Sequence, residues 1–387
     1  MARSAGVGRG TNPRILHICT RYQRGGSERR LRDLMIALPE FEHHVIVGAE
    51  SDPELAAEQL PATTITVEPA LVREVSPVRD LRAIARVSRA IRCGDYSLVV
   101  THQSKGGVVG RTAALLGHRP PVVHSLSMAS FGPGYPRPAS LVFQVAERAL
   151  APFTARYAVV GRDLARRYLD LGITPDKFQV VRSGVPLPAA VPQQEARSRV
   201  AARFGLPHGR PLIAYVGSLD ARKGAWDLLD LFERVRGCTP PPFMVIAGTG
   251  PLEDQLRDAF TSRGHAGDFA FLGYVSPVFD VIAAADVVVL LSRAEGISQV
   301  LVQAASAGSP FVAYDVDGTN ELLEMGAAGT IVTLGDVSAA AAATVETMES
   351  GRRGRPIDAS PWSSEEIRSG YRRMVEGVLE LTREPAA

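Results

Sequence analysis

The chain holds 387 residues, with 43 Lys plus Arg against 41 Asp plus Glu, 36 Gly, 27 Pro and 45% hydrophobic residues. At roughly 100–200 residues per domain, this length predicts two or three domains, each able to bury a core. A formal charge of +2 lacks the electrostatic excess of a general nucleic-acid binder. The longest apolar run, VIAAADVVVLL, is too short to span a bilayer and carries Asp286, while Cys19, Cys93 and Cys238 are too few and scattered for a disulfide framework. The expectation is a soluble, cytoplasmic protein whose residues 1–13 form a flexible leader without the apolar segment of a secretory signal.

Short β-branched runs alternate with longer amphipathic stretches, the pattern of βαβ units building parallel sheets. RILHICT (14–20) predicts the first strand, followed by the turn RYQRGGSE and a helix over 28–38. Further strands are predicted at 43–49, 64–68, 96–102, 121–127, 155–161 and 178–184, with helical patterns at 78–92 and 106–117. Within 78–92, Arg79, Arg82, Arg86, Arg89 and Arg92 recur on one face, while Leu81, Ile84, Ala85, Ser88 and Ile91 favour another. A solvated face is the plainer reading, and an anionic membrane surface the alternative. RYQRGGSERRLR adds five further arginines. The loop MASFGPGYPRPAS (128–140) reads as irregular, either a passive surface loop or one offering Phe131 and Tyr135 to a ring or sugar.

A break in composition follows. VPLPAAVPQQEARSRVAARFGLPHGRP (185–211) reads as a linker leading into one helix, which divides the chain into domains near residue 187. The alternation then restarts, with strands at 211–217, 242–248, 268–273, 285–292 and 310–316. From about residue 361, Ser363 or Ser364 ahead of two Glu predicts the capped start of a long amphipathic helix.

Ligands of open parallel sheets sit beyond the carboxyl ends of the strands, so two facing sheets imply an interdomain cleft. In RYQRGGSERR, Gly25 and Gly26 permit close backbone approach of an anion to the following helix, although a tight turn explains them equally. In VGSLDARKGAWDLL, Lys223 stands where it could reach a phosphate, with a solvated lysine as the plain alternative. SRAEGISQVLVQAASAG is richer: Glu295 lies in a loop at the sheet edge, Ser298 is placed to cap, and the amides of Ile297 and Ser298 could cradle a phosphate. Gln303 follows eight residues after Glu295. GTGPLEDQL lacks the third glycine of a dinucleotide fingerprint and reads as a turn with Pro251 opening a helix. Neither a GxSxG elbow, an HExxH pair nor a GxxxxGK[ST] loop occurs.

Taken in order, ILHICTRYQRGGSERRL, VVTHQSKGGVVGRTAALL, YAVVGRDLARRYLDLGI, VVRSGV, YVGSLDARKG, VIAGTGPLEDQL, FLGYV and AEGISQVLVQAASAGSPFVA resemble the GT-B-fold glycosyltransferases, specifically retaining glycosyltransferase family 4, over about residues 14–350. The resemblance implies two facing Rossmann-like domains with parallel sheets, an acceptor side at 14–186, a nucleotide-sugar side at 187–360, and a C-terminal helix (361–387) crossing back to the first domain. It implies a nucleotide diphosphate sugar as co-substrate, UDP-sugar favoured, no metal or other cofactor, a hydroxyl-bearing small-molecule, glycan or lipid acceptor, no nucleic acid, and peripheral membrane contact as an option. Glu295 and Lys223 are then the catalytic candidates. Gly25, Gly26, Gly217, Ser218, Arg222, Gly296, Ile297, Ser298 and Gln303 complete the donor site, and His124, Ser127 and Lys105 stand on the acceptor side.

Three positions depart from the family pattern. Ser218 replaces an arginine that pairs with the lysine on the diphosphate, Gln303 replaces a glutamate that holds the ribose, and Ser127 stands in place of a histidine. Arg222 could replace the missing cation at 218, and an amide at 303 can still hydrogen-bond a ribose. The leading expectation is retaining glycosyl transfer. A non-catalytic scaffold or partner subunit is the alternative, with a nucleotide-sugar epimerase of the same fold behind it.

Overall fold

The computed structural model describes residues 12–23, 26–61, 63–132, 135–189 and 191–381. Most of the expected leader (1–11) and Gly25 lie outside the described residues.

Two parallel sheets form. The first comprises β1 (Arg14–Cys19), β2 (Glu42–Gly48), β3 (Thr64–Glu68), β4 (Leu98–His102), β5 (Val122–Leu126), β6 (Arg156–Val159) and β7 (Phe178–Val180), in the order β3-β2-β1-β4-β5-β6-β7. The second comprises β8 (Leu212–Val216), β9 (Phe243–Ala247), β10 (Phe269–Gly273), β11 (Val287–Leu290), β12 (Phe311–Tyr314) and β13 (Gly329–Val332), in the order β10-β9-β8-β11-β12-β13. Every residue of β4, β9 and β11 is buried, which explains their near-continuous Val, Ile and Leu: helices cover both faces, so no polar alternation is tolerated. Strand order reverses between β1 and β4 and again between β8 and β11, leaving a crevice at the carboxyl end of each sheet. The doubly wound α/β class expected from the alternation is the one observed.

Some local expectations change. β7 stops at Val180 and not at 184, because Arg182–Pro186 leave the sheet to cross to the second domain. The loop taken as irregular to residue 140 becomes helix at Arg137: its prolines fall before and within the first turn, where no intrahelical donor is lost. The helix after GTGP begins at Glu253, two residues beyond Pro251. In the Pro77–Gly94 helix the buried residues are Ala83, Val87, Ser88, Ile91 and Gly94, whereas Leu81 is 68% exposed among the arginines.

The final helix, Ser364–Leu381, buries Ile367, Tyr371, Met374, Val375 and Val378 in one cluster with Ile15, Leu34, Leu38, Val100 and Val181 of the first domain. Arg372 fixes its register by donating to the Ala37 carbonyl and to Glu40, both at 2.6 Å. Removing five such side chains from water contributes on the order of 10 kcal/mol before entropy is counted.

Candidate functional site

The crevice between β8 and β11 gathers the residues singled out in the second domain. The turn after β8 is held from both sides. Tyr215, fully buried, donates from its hydroxyl to the Ser218 carbonyl at 2.9 Å, and burial pushes its pKa upward. Asp220 accepts from the Lys223 amide at 2.9 Å and from the Ser218 hydroxyl at 2.8 Å, capping the short 3-10 turn Ala221–Lys223. That turn aims Lys223 across the crevice, and its Nζ lies 2.5 Å from Glu295 Oε1 in the loop after β11. Arg222 donates to the neighbouring Ala294 carbonyl at 3.4 Å, so it points toward the Glu295 loop although Ser218 supplies no cation there.

Ser298 caps the Gln299–Ser306 helix through the Leu301 amide. Among the described residues, the backbone N–H groups of Ile297 and Ser298 donate to no protein acceptor, which leaves them open to an anion at the helix start. Gln303, one turn on, donates from Nε2 to the Pro186 carbonyl at 3.4 Å, and its buried Oε1 has no partner. Both glutamines of this helix, Gln299 and Gln303, line a cleft of about 1150 Å³ together with Gly217, Ser218 and Gly248. Gly248 has φ +143°, and a Cβ there would overlap the Gly217 carbonyl; only glycine lets the turns after β8 and β9 close against each other as the cleft wall.

The two domains meet directly over this site. A Cβ at Gly296 would overlap the Ser127 carbonyl at the end of β5. Beside it, Glu321 is fully buried and accepts from the Arg162 amide at 2.9 Å, Arg162 Nε at 3.1 Å and Arg182 Nη2 at 2.5 Å. Burial alone would raise the Glu321 pKa, but these arginine contacts outweigh it and hold the carboxyl below its usual range. Arg167 grips Asp317 through one guanidinium edge, Nε and Nη2 each donating to one carboxylate oxygen, and Asp163 accepts from the Gly318 amide at 3.0 Å. A small polar pocket between the domains is lined by Tyr135, Arg167, Asp317 and Glu295. No local sequence pattern marks this seam beyond opposite charge in two distant segments, arginines in GRDLARR and carboxylates in DVDGTNELLE.

On the first-domain side the picture is corrected. His124 is fully buried: Nδ1 sits 2.9 Å from Thr101 Oγ1, and Nε2 lies 3.7 Å from Glu147, which forms a two-armed pair with Arg111 at 2.6 and 2.8 Å. It is a core residue out of reach of an acceptor. Lys105 is committed to Asp80 at 2.7 Å and is also buried, so its charge is spent within the domain. Ser127 does reach the cleft seam, through its carbonyl. Gly26 opens the first helix (Gly26–Ala37) beyond β1. Phe131 is buried against Tyr168, with ring centroids 5.0 Å apart, and it lines the small pocket together with Tyr135. Among the described residues, no three His, Cys, Asp or Glu side chains converge as metal ligands do.

Comparison with known proteins gives this geometry a context. The sequence model of Glycosyltransferase Family 4 matches residues 24–187, and that of Glycosyl transferases group 1 matches residues 210–350. The chain is 26% identical over 273 residues, 70% of each chain, to the UDP-Gal:alpha-D-GlcNAc-diphosphoundecaprenol alpha-1,3-galactosyltransferase of Escherichia coli. It is 30% identical over 213 residues to the 2-deoxystreptamine N-acetyl-D-glucosaminyltransferase of Streptomyces fradiae, covering 54% of this chain and 49% of the relative. HepE of Anabaena in complex with UDP shares the fold at a TM-score of 0.69 and 18% identity, over 94% of this chain and all of the other. Two matched halves, one per sheet, and a pair of charged loops facing across the second crevice lead to one assignment: the chain is a GT-B glycosyltransferase of the family 4/group 1 type.

Proposed function

We propose that the protein transfers a sugar, with retention at the anomeric carbon, from a nucleotide diphosphate sugar, UDP-sugar favoured, to a hydroxyl-bearing glycan, lipid or small-molecule acceptor. The observation that carries this reading is the Lys223–Glu295 pair beside the open amides of Ile297 and Ser298. A donor entering the cleft separates the pair. Lys223 turns to the diphosphate, joined by the two amides and Arg222, and Glu295 is freed to accept from a sugar hydroxyl. Gln303 offers its unpartnered Oε1 to a ribose hydroxyl.

The anomeric carbon then breaks its bond to the diphosphate oxygen and bonds the acceptor oxygen on the same face, while the acceptor proton passes to the departing diphosphate. Charge developing on that diphosphate meets cations and amides already in place, which lowers the barrier without reorganisation. Retention is supported by the carboxylates of the small pocket. Asp317 is tied up by Arg167, and Glu295, once freed from Lys223, is engaged by the donor sugar hydroxyl, so neither is placed as a base for back-face attack. The diphosphate is neutralised by these side chains and amides with no part for a metal, and the enzyme works in the cytoplasm at or near the membrane. The UDP-Gal donor of the Escherichia coli relative and the UDP complex of HepE support the choice of UDP.

A thermal-shift panel of UDP, GDP, dTDP and ADP, followed by turnover of the matching donor and NMR of the product anomer, tests the reading. Stabilisation by UDP and an axial-to-axial product are expected; no stabilisation by any nucleotide at millimolar concentration would sink it.

A further inference from the structure

We infer that Asp227 is a positioning residue for the transfer reaction: through Arg293 it sets the loop of Glu295 against the turn of Lys223. The role rests on the proposed function, because it concerns that same site. Asp227 lies in the first turn of the Ala225–Val235 helix, four residues beyond Lys223, and is 8% exposed. Arg293 Nη2 donates to both of its carboxylate oxygens at 2.9 Å. The hydroxyl of Tyr314, a fully buried residue that ends β12, donates to Asp227 Oδ2 at 2.8 Å. Burial raises the Tyr314 pKa, so this hydroxyl stays a donor.

Arg293 is tied a second time, since its backbone N–H donates to the Arg222 carbonyl at 2.8 Å. Lys223 is thereby bracketed: Arg293 is bound to the residue before it and to the residue four beyond it, and Glu295 follows Arg293 by two. Close packing supports the same register. Gly224, next to Lys223, has φ +68°, and a Cβ there would overlap the Leu291 carbonyl just past β11. The Lys223–Glu295 contact cannot itself be the lasting spacer, because under the proposed function an entering donor separates it. The Asp227–Arg293 contact has no such duty and stays in place with the ligand bound. Without it the Arg293 side chain, 42% exposed, would be free to swing, and the Glu295 loop would keep only its backbone tie. A reaction that tolerates less than about 1 Å of misplacement needs that second tie most once the ion pair has opened. The contact also cancels its own charge, so the helix start adds no net negative charge where a diphosphate would lie.

The test compares Asp227→Asn, Arg293→Ala and the two combined, by isothermal titration with UDP and by kcat with the donor found in the turnover panel. Asparagine keeps the shape of Asp227 but turns a donor toward Arg293 where an acceptor stood. Each single variant is expected to lose about 10-fold in kcat, and the double variant about 10-fold again in place of the roughly 100-fold of independent sites. UDP, which lacks the sugar that Glu295 holds, should bind all three within about threefold of wild type. Asp230→Asn, exposed on the same helix, should keep kcat within about twofold. Arg293→Ala, at a half-exposed position, carries the test if Asp227→Asn does not fold. Unchanged kcat in either single variant, a double variant that loses the product of the two, or UDP affinity that falls as far as kcat overturns the role. A wild type that neither binds UDP nor turns over any donor overturns the proposed function instead, and the role with it.

Discussion

Lys223 and Glu295 satisfy each other across the crevice between β8 and β11, Nζ to Oε1 at 2.5 Å, with 19% and 10% of their side chains exposed. Each is held by a turn with its own anchor, Asp220 and the Tyr215 hydroxyl on one side and the capped helix on the other. Such a pair keeps the site charged, ordered and nearly neutral until a ligand of opposite polarity at each end takes over.

Replacing Lys223 by Ala removes the cation that the proposed function places against the leaving diphosphate. The expected result is a loss of about 100- to 1000-fold in kcat. Arg79→Ala, on a surface helix of the other domain, should change turnover by less than about twofold, since exposed charges far from the reacting atoms contribute little. Initial rates with the best donor check both; equal losses would mean that Lys223 is not in the site.

Gly296 is the contact point with Ser127, and Gly296→Ala inserts a methyl group into the seam. The second domain should still bind UDP within about threefold, while turnover falls about 100-fold as the domains are held apart. Isothermal titration and steady-state rates on the same sample separate the two effects. A variant with normal turnover would show that catalysis does not need this closed seam.

Glu321 is the hub of the seam, and Glu321→Ala leaves Arg182, 12% exposed, without its carboxylate. A loss of about 3 kcal/mol in the stability of the docked arrangement is expected. Differential calorimetry should then show the two domains unfolding as separate transitions, and small-angle scattering a larger radius of gyration. An unaltered single transition would assign the lock elsewhere.

Acid should weaken the first domain early. His17 Nε2 lies 2.9 Å from His43 Nδ1, and His17 Nδ1 lies 3.4 Å from His102 Nε2. His43 Nε2 donates to the Leu38 carbonyl at 3.0 Å, so its Nδ1 must accept from His17, and His17 Nδ1 from His102. One carbonyl thus fixes the tautomer of all three neutral rings. Burial lowers every member, His102 to about 3, and the arginine at position 30 adds to the effect there. The unfolded chain binds these protons first, so stability is fully present above about pH 6.5 and falls by up to about 1.4 kcal/mol per pH unit and group below it. Glu147, which Arg111 holds at about 2 despite its burial, loses its contribution at lower pH, below about 4.5. Melting temperatures between about pH 8 and pH 4 should be flat and then fall, and His102→Gln should flatten the upper part of the fall.

The local geometry of the second domain's crevice was legible because it is built from short turns with few alternatives: a capped helix after a buried strand places Glu295 and Ser298 almost by itself. His124 and Lys105 misled because sequence places a residue at the sheet edge without giving its direction. One belongs to a fully buried strand, and the other is bent back by Asp80, a partner in a different helix. Leu81 failed for the opposite reason. A helix that buries only small residues and two or three aliphatics leaves other aliphatics outside, and periodicity counts them all as core. The seam of Glu321, Arg162 and Arg182 joins residues far apart in the chain, which no local pattern encodes.

The Ser364–Leu381 helix carries a further consequence, for the order in which the protein can be made. Its five buried side chains complete the core around Ile15, Leu34 and Val181. During synthesis those residues emerge first and wait, uncovered, until the second domain has been translated. The first domain is therefore the earlier to be made and the later to be finished. A chain cut after the crossing at Pro186 would present this bare apolar surface to chaperones and to its own neighbours.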